Sequence, residues 1–319
     1  MKIVIIGQSD FGKAALEAFI ARGESVQAVF CNVERPGAKP DALAAAAQAA
    51  DVQVHRFASL RSQDAHEAMQ ACEPDLIVMA YVVQFAPQSL LALARLGAIQ
   101  YHPSLLPRHR GPSAIGWAIT CGDTHTGLTI FRPTDGLDEG PVILQKSCEI
   151  APDETLGQVY FGKLFPMGVA ALVEAADLVM SGRAAEQVQD ESQATYEGWM
   201  HEAEAQVHWA QHIDRIYDLI RACNPSPGAW TWMNGVKTRL YDARRIRVHR
   251  FHDVAGHPGT IASITDKSIA INVHGGRIEL LIVWPKGGAK MPAAEWARQC
   301  GLSVGQEIGT APADSAPGR

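Results

Sequence analysis

Residues 3–16 read IVIIGQSDFGKAAL, and how this stretch is taken decides the fold of the first half of the chain. Ile3, Val4, Ile5 and Ile6 follow one another without a polar residue, as expected of a strand buried on both faces. A glycine then opens a turn, and residues 11–21 carry helical spacing. Gly7 to Lys13 come within one residue of a nucleotide-binding P-loop, but that loop needs a hydroxyl for the Mg²⁺ at the next position, and Ala14 has none. The dinucleotide fingerprint wants a glycine where Ser9 stands. The stretch therefore reads as strand, glycine-eased turn and helix.

Moving outward, the same alternation continues. Strands are expected at 25–30, 53–56, 75–80 and 97–101, with helices at 40–50 and 62–72 and from about 87. Strands separated by helices of this length imply right-handed crossovers and a parallel sheet covered on both faces. The first half is thus α/β and Rossmann-like. A hairpin-like pair, 126–131 and 142–150, follows, then one long helix over 155–180.

Around Ser181, Gly182 and Arg183 the pattern breaks, and 186–198 is polar and turn-rich. Beyond it come an amphipathic helix, 210–222, and short strands at 229–233, 237–248, 259–265, 268–272 and 277–283. Short strands with glycine and proline turns suggest a small antiparallel β-barrel, OB-like in kind. The expected organisation is a Rossmann-like domain over 1–185, a linker over 186–205, the barrel over 206–305 and a disordered tail over 306–319.

With 319 residues the chain is long enough for two cores. Its 47% hydrophobic and 19% charged residues are ordinary for a globular protein, and no run approaches the ~18 apolar residues of a membrane span. No membrane contact is expected, and a start without a signal peptide points to the cytoplasm. Cys31, Cys72, Cys121, Cys148, Cys223 and Cys300 lie far apart without a C-x-x-C pair, as reduced thiols do. A net charge of −6 argues against a protein that grips a polyanion over its whole surface. The one dense basic stretch is Arg239, Arg244, Arg245, Arg247, His249 and Arg250, read either as a solvated face or as a nucleic-acid contact. Trp230, Trp232, Trp284 and Trp296 read as core packing or as an aromatic acceptor surface.

Two loops carry chemistry. Residues 100–113, QYHPSLLPRHRGPS, sit just past the carboxyl end of a buried strand, where open parallel sheets bind ligands, and their prolines leave His102 at the lip of the sheet. Residues 134–140, TDGLDEG, form an acidic turn between two strands. A carboxylate beside an imidazole favours the charged ring and fixes its tautomer, which makes an acid or base usable near neutral pH. A metal-dependent hydrolase built on His102, His109, His125 and Asp138 is the competing chemistry, but those residues lack ligand-like spacing, and the H-x-x-x-H pair His208 and His212 has no glutamate after its first histidine.

HPSLLPRHRG followed by the aspartate of LDEG resembles the 10-formyltetrahydrofolate-dependent formyltransferase and hydrolase family. The likeness is strongest to the amino-terminal hydrolase domain of 10-formyltetrahydrofolate dehydrogenase, with methionyl-tRNA and sugar-amine formyltransferases as relatives. It extends in colinear order through IGQSDFG, QFAP at 84–87, ATYEGW at 194–199 and NPSPGAW at 224–230. The resemblance implies a formyltransferase fold and a role for each matching residue. His102 resembles the catalytic histidine, Asp138 the aspartate that orients it and activates the nucleophile, and Gln100 the amide donor. Gln84, Phe85 and Ala86, Ser104, Leu105, Leu106 and Pro107, and Asp135, Gly136 and Leu137 resemble the walls of the folate pocket. Gly7 to Gly12 resembles a turn facing the acceptor side of the cleft.

The implied formyl donor is 10-formyltetrahydrofolate, with no metal and no NAD(P), since the carrier and aldehyde dehydrogenase segments of the full dehydrogenase are missing here. The sequence departs from the formyltransferase pattern at Gln100, where N-x-H is usual; glutamine keeps the carboxamide on an arm one methylene longer. The expected partner is a small-molecule substrate, with water or a small amine as acceptor, tRNA unlikely, and a monomer or homodimer as the assembly. Methionyl-tRNA formylation and a folate-binding regulator without turnover remain as alternatives.

Overall fold

The structure is a computed structural model that describes residues 1–248 and 256–312. His249 and Arg250 of the basic stretch, and the last seven residues of the expected tail, lie outside the described residues.

The chain forms two compact units. The first comprises Met1–Ala114, His125–Glu149 and Tyr160–Gly198. Its sheet contains β1 (Lys2–Gly7), β2 (Ser25–Asn32), β3 (Gln53–Phe57), β4 (Leu76–Ala80), β5 (Ala98–His102), β6 (His125–Phe131) and β7 (Val142–Glu149), in the order β3-β2-β1-β4-β5-β6-β7. The first five strands pair in parallel; β6 and β7 form the expected antiparallel hairpin against β5. The apolar runs follow from burial on both faces. Ile3 and Ile5 pack with Phe11, Leu16 and Phe19 of α1 (Ser9–Ala21), Leu43 of α2 (Ala42–Ala49) and Leu172 of α7 (Phe165–Met180). Val4, Ile6 and Ile77 enter a second core with Met69 of α3 (Gln63–Cys72) and Leu90 of α4 (Gln88–Leu91). Burying each such side chain is worth about 1.5–3 kcal/mol, so a register slip that turned either face outward would be heavily penalised.

The opening turn is explained by packing. Gly7 lies opposite Ala80 of β4, and a Cβ there would overlap the Ala80 carbonyl oxygen. The first amide of α1, on Ser9, donates to Asp41 Oδ2 at 2.7 Å. A carboxylate from the same protein thus takes the place a phosphate would need.

Residues 155–180 are not one helix. They divide into α6 (Leu156–Val159), a π-helical turn over Tyr160–Leu164, and α7. Pro166 in the first turn of α7 has no amide N–H for the regular ladder, which widens just before it.

The second unit comprises Ile115–Thr124, Ile150–Val159 and the chain from Trp199 onward. It carries most of α5 (Ala114–Thr120), together with α6, α8 (Ile213–Ala222) and α9 (Ala293–Gln299). Its antiparallel sheet is built from β8 (Ala229–Met233), β9 (Val236–Arg247), β10 (Ile261–Ile264), β11 (Ile269–Val273) and β12 (Gly276–Pro285) in the order β10-β11-β12-β9-β8, with β13 (Met291–Pro292) on β12. Register shifts near Ile282 bend the long β9–β12 pair.

The unit boundaries differ from those read in the sequence. Residues as far as Gly198 join the first unit, because the backbone of 195–197 hydrogen-bonds to that of 107–110. At the other end, Ile308 and Gly309 donate to the carbonyls of Gly259 and Trp232, so the chain is still anchored to the sheet where the tail was expected to begin. Trp230 is buried, Trp232 and Trp296 pack against the same core, and Trp284 is exposed. Burial pushes the Cys31 and Cys223 thiols up to about 12, whereas Cys121 is exposed.

Candidate active site

His102 is the last residue of β5, and Asp138 lies in the turn between β6 and β7, the strands that continue the sheet from β5. β6 runs antiparallel to β5, with Thr129 opposite His102 and Phe131 opposite Gln100, so the turn leaves the sheet at the end away from His102 and folds back for Asp138 to meet it. His102 Nδ1 is 3.5 Å from Asp138 Oδ2, and both side chains are buried. His102 Nε2 is 2.8 Å from the carbonyl oxygen of His109. A carbonyl only accepts, so Nε2 carries a proton and Nδ1 is the nitrogen turned to the carboxylate. The 3.5 Å gap exceeds a direct N–H···O bond of about 2.7–3.2 Å, which leaves the Nδ1 edge able to serve a third atom.

The loop after His102 is held from several sides. Ser104 Oγ donates to the Arg108 carbonyl at 2.6 Å, and Thr129 Oγ1 donates to the Ser104 carbonyl at 2.7 Å. Gln145 Nε2 donates to the Leu106 carbonyl at 2.7 Å, and the Leu106–Pro107 peptide is cis. Ser104 and Leu106 are buried, while Leu105 and Pro107 are half-buried.

Of three consecutive residues further on, two hold the pair directly and the one between them acts through Gln189. The His109 carbonyl fixes the His102 ring. The Gly111 amide donates to Asp138 Oδ2 at 2.9 Å. Between them Arg110 is fully buried, and all five of its N–H donors are used. Nε and Nη2 reach Gln189 Oε1 at 3.2 and 2.7 Å; Nη2 and Nη1 reach the two oxygens of Glu191 at 2.6 and 2.9 Å; Nη1 also meets the Tyr196 hydroxyl. Hydrogen bonding to this guanidinium holds the Glu191 carboxyl below the usual carboxylate range. Gln189 in turn donates from Nε2 to the carbonyls of Asp138 and Gly140, at 2.8 and 2.7 Å.

Arg110, Gln189, Glu191 and Tyr196 were missed as site residues in the sequence. Gln189 and Glu191 fell within the expected linker, where polar residues look solvated, and only the ATYEGW match touched this region.

The residues expected to line the folate pocket gather around the same edge. Gln88 of α4 donates from its amide to Asp135 Oδ1 at 3.2 Å and from its side chain to the Pro133 carbonyl at 2.7 Å, tying the 84–88 loop to the acidic turn. Gln84 Nε2 donates to the Phe57 carbonyl at 2.9 Å, while its Oε1 is buried without a hydrogen-bond partner among the described residues. Phe85 is 41% exposed under the Arg61 guanidinium, Leu137 is 54% exposed, and Ala86 is buried. The Glu139 carboxylate lies over Gly136, where a Cβ would displace it. Gln100 lies two residues before His102 on the same sheet face, between Met79 and Phe131 in register, and is half-buried.

A small crevice lined by Ile6, Gly7, Gln8, Asn32, Tyr81 and Gln84 opens beside this edge. It falls where β1 and β4 part, the switch point at which open α/β sheets take ligands. Its wall includes the Gln8–Asn32 carboxamide pair at 2.6 Å. Among the described residues no three His, Cys, Asp or Glu side chains gather as a metal site, and no helix is long and apolar enough to cross a membrane.

Comparison with known proteins bears on this geometry. The formyl transferase family matches residues 1–175, and the formyl transferase C-terminal domain family matches residues 200–301. The chain is 38% identical over 246 residues to mitochondrial 10-formyltetrahydrofolate dehydrogenase of Mus musculus, covering 76% of this chain and 26% of that protein. The chain thus spans about a quarter of such relatives. It is 29% identical over 314 residues to methionyl-tRNA formyltransferase of Syntrophus aciditrophicus, covering 97% and 99% of the two chains. In structure it is similar to HypX from Aquifex aeolicus in complex with tetrahydrofolic acid, with a TM-score of 0.63 and 19% identity over 95% of this chain and 48% of that one.

Proposed function

Because the chain belongs to the formyl transferase family, we propose that it takes the formyl group of 10-formyltetrahydrofolate and passes it to water or to a small amine. The observation that carries this reading is the buried His102–Asp138 pair, with Nε2 fixed by the His109 carbonyl and Nδ1 turned to the carboxylate. The donor is a substrate whose polar pterin ring suits what lies alongside. The unpartnered Gln84 Oε1 is an acceptor for ring N–H groups, and exposed Phe85 and Leu137 offer apolar contact.

A formamide carbon is a weak electrophile and an amine a poor leaving group, so the reaction needs a stabilised oxyanion and a proton for nitrogen. Protonated His102 donates from Nδ1 to the formyl oxygen as it gains charge, while the His109 carbonyl keeps the ring from turning. Asp138 stabilises the imidazolium and accepts the proton of the attacking water or amine. The Gln100 carboxamide, on the same face, is the second donor to the oxyanion. The proton on His102 then passes to the departing folate nitrogen.

His102→Ala and Asp138→Asn should each lower kcat by about 10²–10³, the usual effect of removing one such group, with the KM for the folate little changed. Release of tetrahydrofolate, followed with and without candidate amines, tests both the reaction and the acceptor. Full activity in both variants rejects the roles given to His102 and Asp138, and folate binding without any turnover rejects the enzyme in favour of a binding protein.

A second reading, methionyl-tRNA as acceptor, is supported by the end-to-end match to a methionyl-tRNA formyltransferase. Charge pairing weighs against it. Arg245 and Arg247 are both bound to Asp214, at 3.1 and 2.7 Å, and Arg244 lies opposite Glu279 in the strand register. Salt-sensitive tRNA binding that depends on these arginines would favour the second reading.

A further inference from the structure

We propose that Gln189, gripped by Arg110, is a positioning residue that sets the distance between Asp138 and His102. The inference rests on the formyl-transfer reading for its kinetic consequence, though not for its geometry.

Asp138 has a left-handed backbone, with φ at 54°, a conformation that aspartate adopts more readily than most residues and that its surroundings here hold in place. The structure around it does so at two points. The Gly111 amide holds the carboxylate, and Gln189 Nε2 holds the carbonyls on either side of Glu139, those of Asp138 and Gly140. Gln189 has no freedom to drift. Its carboxamide is used completely, two N–H groups on the turn and Oε1 on Arg110, and it is buried. Nor can Arg110, with its five donors committed and its own backbone bonded to Thr195 and Glu197.

The chain of contacts therefore runs from His102 through His109, Arg110 and Gln189 back to Asp138, closing a ring around the 3.5 Å gap. Gln189 touches neither reacting atoms nor the imidazole. Loosening it frees the turn, and a displacement of ~1 Å in a catalytic group typically costs about 10² in rate.

The test uses the full chain with Gln189→Glu and Gln189→Met. Glutamate keeps the acceptor for Arg110 but sets an oxygen against two carbonyls; methionine keeps the shape and loses both functions. Each should lower kcat about 10- to 100-fold with the folate KM within about twofold, while circular dichroism and a cooperative melt report a folded protein. The Gly111 amide resonance, which reads the Asp138 contact directly, should move in both variants. Arg110→Lys, which retains the charge but not the fork, should move it as well and serves if either Gln189 variant fails to fold. Unchanged kcat with an unmoved Gly111 resonance overturns the proposal, as does a loss carried entirely by KM. If the unaltered protein turns over no folate, the functional reading fails, and the Gly111 resonance alone decides whether the clamp exists.

Discussion

Gly140 admits no side chain, since a Cβ would fall on the Arg132 carbonyl oxygen with Thr134 close behind. Gly140→Ala should therefore destabilise the chain by about 2 kcal/mol or more, in the range for a strained, overpacked site, and urea unfolding would measure it. Single residues also mark how far the sequence could be read. His102 stood out because a strand was expected to end just before it and prolines follow; Asp138, because glycines frame the turn that holds it. Gln100 was legible as a departure from N-x-H, and its place on the His102 face agrees with strand alternation. Arg110 and Gln189 were not legible. They meet across 79 positions of sequence, and nothing local distinguishes a guanidinium that will be fully buried from one that will be solvated.

At the scale of elements, β1 and β4 were readable because continuous apolar runs have few alternatives to burial on both faces, and the other strands of the first sheet from their spacing between helices. The helices were readable from their apolar spacing. Asp41 caps α2 through Leu43 at 3.0 Å while its other oxygen holds the first amide of α1, so one carboxylate fixes two helix starts. Asp41→Ala should lower stability by about 1–2 kcal/mol, the upper part of the range for a lost cap, detectable as a shift in the urea midpoint. Less readable were α5, a seven-residue helix just after Pro112, and the break at the π-helical turn. In both places tertiary packing decides the backbone more than local propensity does.

At the scale of the whole molecule, acid should expose which contacts secure the fold. The Asp75 carboxyl lies below its ordinary range because the Lys2 amide and Arg95 bind it, Asp177 because Arg22 does, and Glu191 because Arg110 does. Each folded-state value is below the unfolded one. Their contribution is thus complete above the ordinary carboxylate range and disappears as pH falls through the lowered values. Urea midpoints should be level from about pH 8 to 5 and drop below about pH 4, and Glu191→Gln should flatten part of that drop.

The unit boundaries were the feature least available to sequence. Polar composition marked 186–198 as a connector, whereas its backbone and side chains close over the loop that follows His102. This has a practical bearing on anyone excising the amino-terminal half. A fragment ending at residue 185 would retain all seven strands and the candidate catalytic side chains His102, Asp138 and Gln100, yet it would have cut away Gln189, Glu191, Thr195 and Glu197, leaving a sheet whose working edge had lost its brace.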